Sequence, residues 1–302
     1  MRFPASSSTA RRSEVVALNG TGIIPAGDFP DLSGLSVARR SHWGRWTAAV
    51  VILVVLAALV RAFAHGQIEW SYVRTFLAAP VIISGIINTV VMAVLAMALG
   101  IVLGVVLAVM RLSPNPVLRG VASGYTWLFR GTPLILQLLL WFNLALVFPT
   151  IGIPGLWSAR AVDIMTPFFA ALLGLGLNQG AYTSEIMRAG MLSVDAGQYE
   201  AAKAIGMGRL RALRRIILPQ AMRVVIPPLG NEFISMVKAT SLASVIQYPE
   251  VLHNAENIYY ANSRVMELLI VAGLWYLAVV SVLTPLQMLL ERRFTRGFAR
   301  HA

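Results

Sequence analysis

Cysteine is absent from the 302 residues, which excludes disulfides, thiolate metal sites and cysteine nucleophiles and leaves the redox compartment unread. Charge is scarce as well: 13% of the residues are Asp, Glu, Lys or Arg, and Lys203 and Lys238 are the only lysines. Neither lysine stands in a Gly-x-x-x-x-Gly-Lys-Ser/Thr phosphate loop, so no nucleotide site of that kind is encoded. The four histidines, His42, His65, His253 and His301, show no metal-ligand spacing and fall outside the apolar runs. A metal-dependent or nucleophilic enzyme within the membrane therefore finds no support, and no cofactor is expected on the chain itself.

What is abundant is apolar side chain. Hydrophobic residues make up 57% of the sequence, and a mean hydropathy of +0.71 is that of a bilayer protein. The formal charge of +12 and isoelectric point near 11.0 raise the question of nucleic acid. The arginines flank apolar runs instead of forming one face, which argues against such a partner and for lipid.

Residues 1–45 are polar and rich in Ser, Gly and Arg, without periodicity, and read as a flexible tail. A first spanning helix is expected over 46–64, with Trp43 and Trp46 at the interface. Five further apolar segments follow at Ile82–Met110, Ala122–Val147, Pro167–Met187, Val224–Ile246 and Met266–Leu290. Each approaches or exceeds the ~20 residues that cross a bilayer. The expected fold is all-α and polytopic, with about six spanning helices, because lipid cannot satisfy exposed backbone groups. Gly100 and Gly104 form a small-xxx-small pair suited to close packing of helices.

Orientation follows from the loops. With the N-terminus inside, that side receives Arg39, Arg40, Arg45, Arg111, Arg119, Arg188, Lys203, the arginines of 209–223, and a basic tail over 292–302. The opposite side receives only Arg61, Arg74, Arg160 and Arg264. The positive-inside rule then puts both termini in the cytoplasm.

The longest inside loop, 188–223, carries a pattern of its own. Asp195 followed by Gln198 predicts a capping box, so a short helix should start there and stop at Gly206. A second short helix is expected to place Leu210, Leu213 and Ile217 on one face and to end near Pro219.

Glu200-Ala201-Ala202, then Gly206, then Ile216-Ile217-Leu218-Pro219 stand at the spacing of the EAA loop. The sequence thereby resembles the permeases of binding-protein-dependent ABC importers. Phe129-Arg130-Gly131-Thr132-Pro133, Gly180 to Glu185, Lys238 to Leu242 and Leu290-Glu291-Arg292-Arg293 resemble the subfamily that imports polar amino acids and opines. The resemblance implies a five-helix type I importer core over 80–291, preceded by one extra helix. It implies that Glu200, Ala201, Ala202, Gly206, Leu218 and Pro219 form the surface that docks on an ATPase. It further implies an ATP-binding subunit dimer holding ATP and Mg, a second permease subunit, an external solute-binding protein, and a bacterial inner membrane.

Polar residues inside spanning helices usually face a cavity or a partner. Asn178, Tyr182 and Glu185 share one helical face, as do Asn231, Ser235 and Lys238, with Glu232 beside them. Together with Gln137, Asn143, Thr240 and Ser241, these residues either line a substrate path or join helices through a Lys–Glu pair and amide hydrogen bonds. On the first reading Glu185 or Glu232 meets a substrate ammonium, and Lys238, Thr240 and Ser241 meet a carboxylate or a neighbouring subunit. Pro227 and Pro228 predict a kink or break early in the fifth span. The competing function is an ion-coupled secondary transporter, which does not account for the loop pattern.

Overall fold

The computed structural model describes residues 43–153 and 157–294. The chain divides into two units, Met1–Ala62 and Phe63–Ala302. Of the tail expected over 1–45, all but the last three residues lie outside the described set, as do residues 295–302 of the basic C-terminal tail. The first unit contributes all but the last turn of helix α1 (Trp43–His65). Valine, leucine and alanine fill α1, and its large apolar side chains are exposed all round, the pattern of a helix whose solvent is hydrocarbon.

The second unit is built from short α2 (Trp70–Leu77), long α3 (Pro80–Leu112), α4 (Pro116–Gly131) and α5 (Leu134–Phe142). A two-stranded antiparallel hairpin follows, β1 (Thr150–Ile153) and β2 (Trp157–Arg160), then one turn of α6 (Ala161–Ile164). After these come α7 (Pro167–Leu192), α8 (Ala196–Ala204), α9 (Arg209–Ala212), α10 (Leu218–Ala239), α11 (Val251–Asn262) and α12 (Val265–Phe294). Among the described residues, α1, α3 and α12 are long and apolar enough to cross a membrane on length and composition alone.

Contacts sort the helix ends into two groups. Arg111 at the end of α3 meets Glu185 near the end of α7, and the first turns of α10 pack on Gly190 through Ala221 and Val225. That is the arginine-rich end. At the other end Asn254 of α11 donates to the Val81 carbonyl at 2.7 Å, and the Trp275 indole donates to Leu77 at 2.9 Å. Glu250 caps α11 there, accepting from the Leu252 and His253 amides at 2.9 and 2.7 Å and from the Tyr276 hydroxyl.

The closest packing joins α3 and α7, and its basis is small residues. A Cβ added to Gly100 would lie 2.6 Å from Gln179, and one added to Gly176 would lie 2.6 Å from Leu99. Each helix therefore presents glycine where the other presents a side chain. In lipid, where apolar surface gains little by leaving its solvent, such close approach supplies the dispersion contact that holds helices together. Met92 and Ala96 of α3, Leu138 of α5, Leu175 of α7 and Val237 of α10 form the core beside this seam.

Several expectations need correction. The segment 122–147 is two helices, interrupted at Thr132-Pro133. Proline 133 has no N–H, so the Phe129 carbonyl loses its i+4 donor. Pro219 does not end the second loop helix: a π-turn over Leu213–Ile217 leads directly into α10, with Pro219 in its first turn. The extra residue of a π-turn relaxes the clash a proline ring makes with the preceding turn. The helix also continues through Pro227 and Pro228 without a break, and gives way to a 3-10 turn over Thr240–Ile246. The hairpin and the short helices α2 and α11 were not anticipated, since each is too short for periodicity to register.

Candidate functional site

Two places on the second unit gather the sequence-predicted residues. The first is the loop built on α8. Asp195 caps it by accepting from the Gly197 amide at 2.7 Å. The other half of the expected capping box is not made: Gln198 instead accepts from Gln220 at 3.3 Å, tying α8 to the start of α10. At the far end Gly206 has φ +70. The Gly206 amide reaches the Lys203 carbonyl at 3.0 Å and the Met207 amide reaches Ala202 at 2.9 Å, the two bonds of a Schellman ending.

Burial divides the residues expected to dock on a partner. Glu200, Ala201, Gly206, Leu218 and Pro219 are exposed, whereas Ala202 is buried against the rest of the loop, so it supports the surface from behind. Ile217 is likewise buried, with Val194 and Ala221. Leu210 does not share the inward face expected for it and is 77% exposed, as is Ile205 at 73%. Two bare aliphatic side chains on a short charged projection are what a protein partner would cover. Sequence reasoning missed Ile205, though its place beside Gly206 at the helix end could have marked it. Beside them Gly206, Gly208, Arg211, Arg214 and Arg215 rim an open concavity of about 720 Å3.

The second place is a cleft of about 320 Å3 between α7, α10 and the α4–α5 break, whose mostly apolar wall carries the polar groups of Thr132, Asn178, Gln179, Tyr182, Glu232 and Ser235. Its architecture follows from Pro133. The orphaned Phe129 carbonyl receives the side-chain amides of Gln137 at 3.0 Å and Asn178 at 2.8 Å. Gln137 also donates to the Thr132 carbonyl at 3.1 Å and accepts from Asn178 at 3.2 Å. The two amides therefore hold the break open next to the cleft. Glu232 accepts from Gln179 at 3.3 Å. Thr132, Gln179 and Ser235 add further polar groups beside the apolar Pro133, Leu134, Met236 and Ala239, and the proline four residues after Phe129 was the sequence signal for this site.

The other path candidates lie elsewhere. Glu185 bonds Arg111 and accepts from Arg188 at 2.9 Å, and it has Arg130 at 3.8 Å. Three guanidiniums share this one carboxylate. Thr240 and Ser241 bond backward to the carbonyls of Val237 and Lys238 at the end of α10, and Asn143 does the same to Leu139. Asn231 and Lys238 are exposed, and no Lys–Glu ion pair occurs among the described residues. The structure thus brings Gln137, Asn178, Tyr182 and Glu232 together and leaves Glu185, Asn231, Lys238, Thr240 and Ser241 outside that cleft.

A family model described as binding-protein-dependent transport system inner membrane component matches residues 100–296. The chain is 42% identical over 261 residues to the arginine transport system permease protein ArgU of Corynebacterium glutamicum, covering 86% of this chain and 83% of ArgU. It is 42% identical over 184 residues to the nopaline transport system permease protein NocM of Agrobacterium fabrum, covering 61% and 75%. A solved amino acid ABC transporter with histidines contains a chain 37% identical, with a TM-score of 0.62, covering 71% of this chain and 94% of that one. The chain belongs to the family of binding-protein-dependent transport system inner membrane components, as an ABC transporter permease of the amino-acid and opine kind.

Proposed function

We propose that the chain is the membrane subunit of an ATP-driven importer that carries a polar amino acid into a bacterial cytoplasm. The observation that carries this reading is the α8 projection, where exposed Glu200, Ala201 and Gly206 stand beside exposed Ile205 and Leu210. An ATP-binding subunit dimer, with ATP and Mg on its own residues, docks on this surface. Bare aliphatic side chains supply the apolar anchor of such a contact, and Glu200 supplies a charge for a basic partner. Because α8 is tied through Gln198 to Gln220 of α10, movement of the ATPase is passed to the helix that holds Glu232.

The arginine-rich end faces the cytoplasm, with both termini on that side. A second permease subunit completes the path, and an external solute-binding protein delivers the amino acid at the opposite end. In the cleft, Glu232 meets the substrate ammonium, with the side-chain carbonyl oxygen of Asn178 as a further acceptor. The relatives named for arginine and nopaline transport support a substrate with an α-amino acid group.

Purified assemblies in proteoliposomes test the reading. Glu200→Arg and Gly206→Val should abolish ATP-dependent amino-acid uptake and release the ATPase, while the variants still insert at wild-type yield. Wild-type uptake that persists without any ATPase, driven by a proton or sodium gradient, would establish a secondary transporter instead.

A further inference from the structure

The cleft is a site for one sign of charge only. Glu232 and the carbonyl oxygen of Asn178 offer acceptors, and no arginine or lysine is part of its lining. An amino acid, however, carries a carboxylate as well as an ammonium. A buried carboxylate left without a cation or donors is strongly disfavoured, so the transported molecule needs a positive group at the cleft rim.

Arg130 meets that need. It stands at the end of α4, two residues before the cleft residue Thr132, and its guanidinium lies 5.2 Å above the ring of Tyr182, which lines the cleft. Of the three guanidiniums around Glu185 it is the least engaged. Arg111 and Arg188 hydrogen-bond the carboxylate, whereas Arg130 stays 3.8 Å away and is 44% exposed against 23% and 33% for the other two. Among the described residues its guanidinium makes no hydrogen bond. The cluster therefore carries two positive charges in excess, and the least engaged of its arginines stands over the Tyr182 ring that lines the cleft.

We propose that Arg130 receives the carboxylate of the amino acid in transit, stacked on Tyr182, while Glu232 takes the ammonium. This assignment rests on the importer reading. A planar fork held on an aromatic face is suited to bidentate capture of a carboxylate. Glu185 serves as the resident counter-ion, to which Arg130 returns once the substrate leaves. Lys238, on the exposed side of α10, has no part in this binding.

The test uses the chain assembled with its ATPase and solute-binding protein in proteoliposomes, supplied with an equimolar mixture of radiolabelled proteinogenic amino acids. The quantity read is amino acid taken up per ATP hydrolysed. Arg130→Gln should lower that ratio about tenfold, the loss of one charged hydrogen-bonding partner, and Arg130→Lys should restore part of it. A ratio unchanged in R130Q, or equal losses in R130K and R130Q, would overturn the assignment. Absence of ATP-dependent uptake in the unsubstituted assembly would overturn the importer reading itself, and is distinguished by appearing before any substitution.

Discussion

At the scale of single residues, Gly206 and Pro133 each show how one backbone property builds a functional feature. Gly206 sits at φ +70 with nothing within 4 Å of where a Cβ would lie. Space is therefore not the constraint, and backbone conformation is. A β-branched residue there should destabilise the α8 ending by about 1–2 kcal/mol. Gly206→Ala should accordingly retain more of the docked ATPase than Gly206→Val in affinity co-purification. Pro133 acts by omission. Gln137 shares the Phe129 carbonyl with Asn178 and also bonds Asn178 and Thr132, so replacing it by Ala removes one donor from that carbonyl and breaks the small network, at a cost of about 1–3 kcal/mol in the native chain. In a Pro133→Ala background, where a backbone amide can serve Phe129, the cost should shrink by roughly 0.5–3 kcal/mol. Thermal unfolding in detergent, run as a double-mutant cycle, measures the difference, and a vanishing coupling would refute this account of the break.

At the scale of elements, the α3–α7 seam and the α11 cap hold the opposite ends of the bundle. Gly104→Leu would force a side chain into Thr183 and the Ser184 backbone, where rigid neighbours leave no flexible end to move aside. The expected loss is about 1–3 kcal/mol, as in other overpacked interiors, visible as a lowered unfolding temperature. At the other end Glu250 is fully buried and accepts three hydrogen bonds. Burial pushes its carboxyl above the ordinary carboxylate value, against the opposing pull of Tyr276 and the two amides. A group whose pKa is raised on folding contributes stability at low pH that is lost as pH rises through the raised value. Stability of the native chain relative to Glu250→Gln should therefore decline as pH rises, and unfolding curves of the two chains across the acid range check the sign.

At the scale of the whole molecule, the absence of cysteine makes topology directly measurable. Single cysteines placed at Ser158 in the hairpin and at Arg211 in α9 are clean reporters. With the arginine-rich end inside, a membrane-impermeant thiol reagent should label Ser158→Cys in intact cells and reach Arg211→Cys only after permeabilisation. The all-helical, membrane-spanning class was legible in the sequence because hydrocarbon thickness and backbone hydrogen bonding leave few alternatives to long apolar helices. The start and end of α8 were legible for a similar reason, since Asp195 and Gly206 act on their own neighbours. What only the tertiary structure decided depends on partners distant in the chain. Gln137 joins Asn178 across the α4–α5 break, Glu185 is held by arginines of three helices, and Leu210 is exposed while Ile217, beyond the start of the π-turn, is buried. Local chemistry is written in spacing along the chain, whereas the partner of a buried amide or carboxylate is settled by which helices pack side by side.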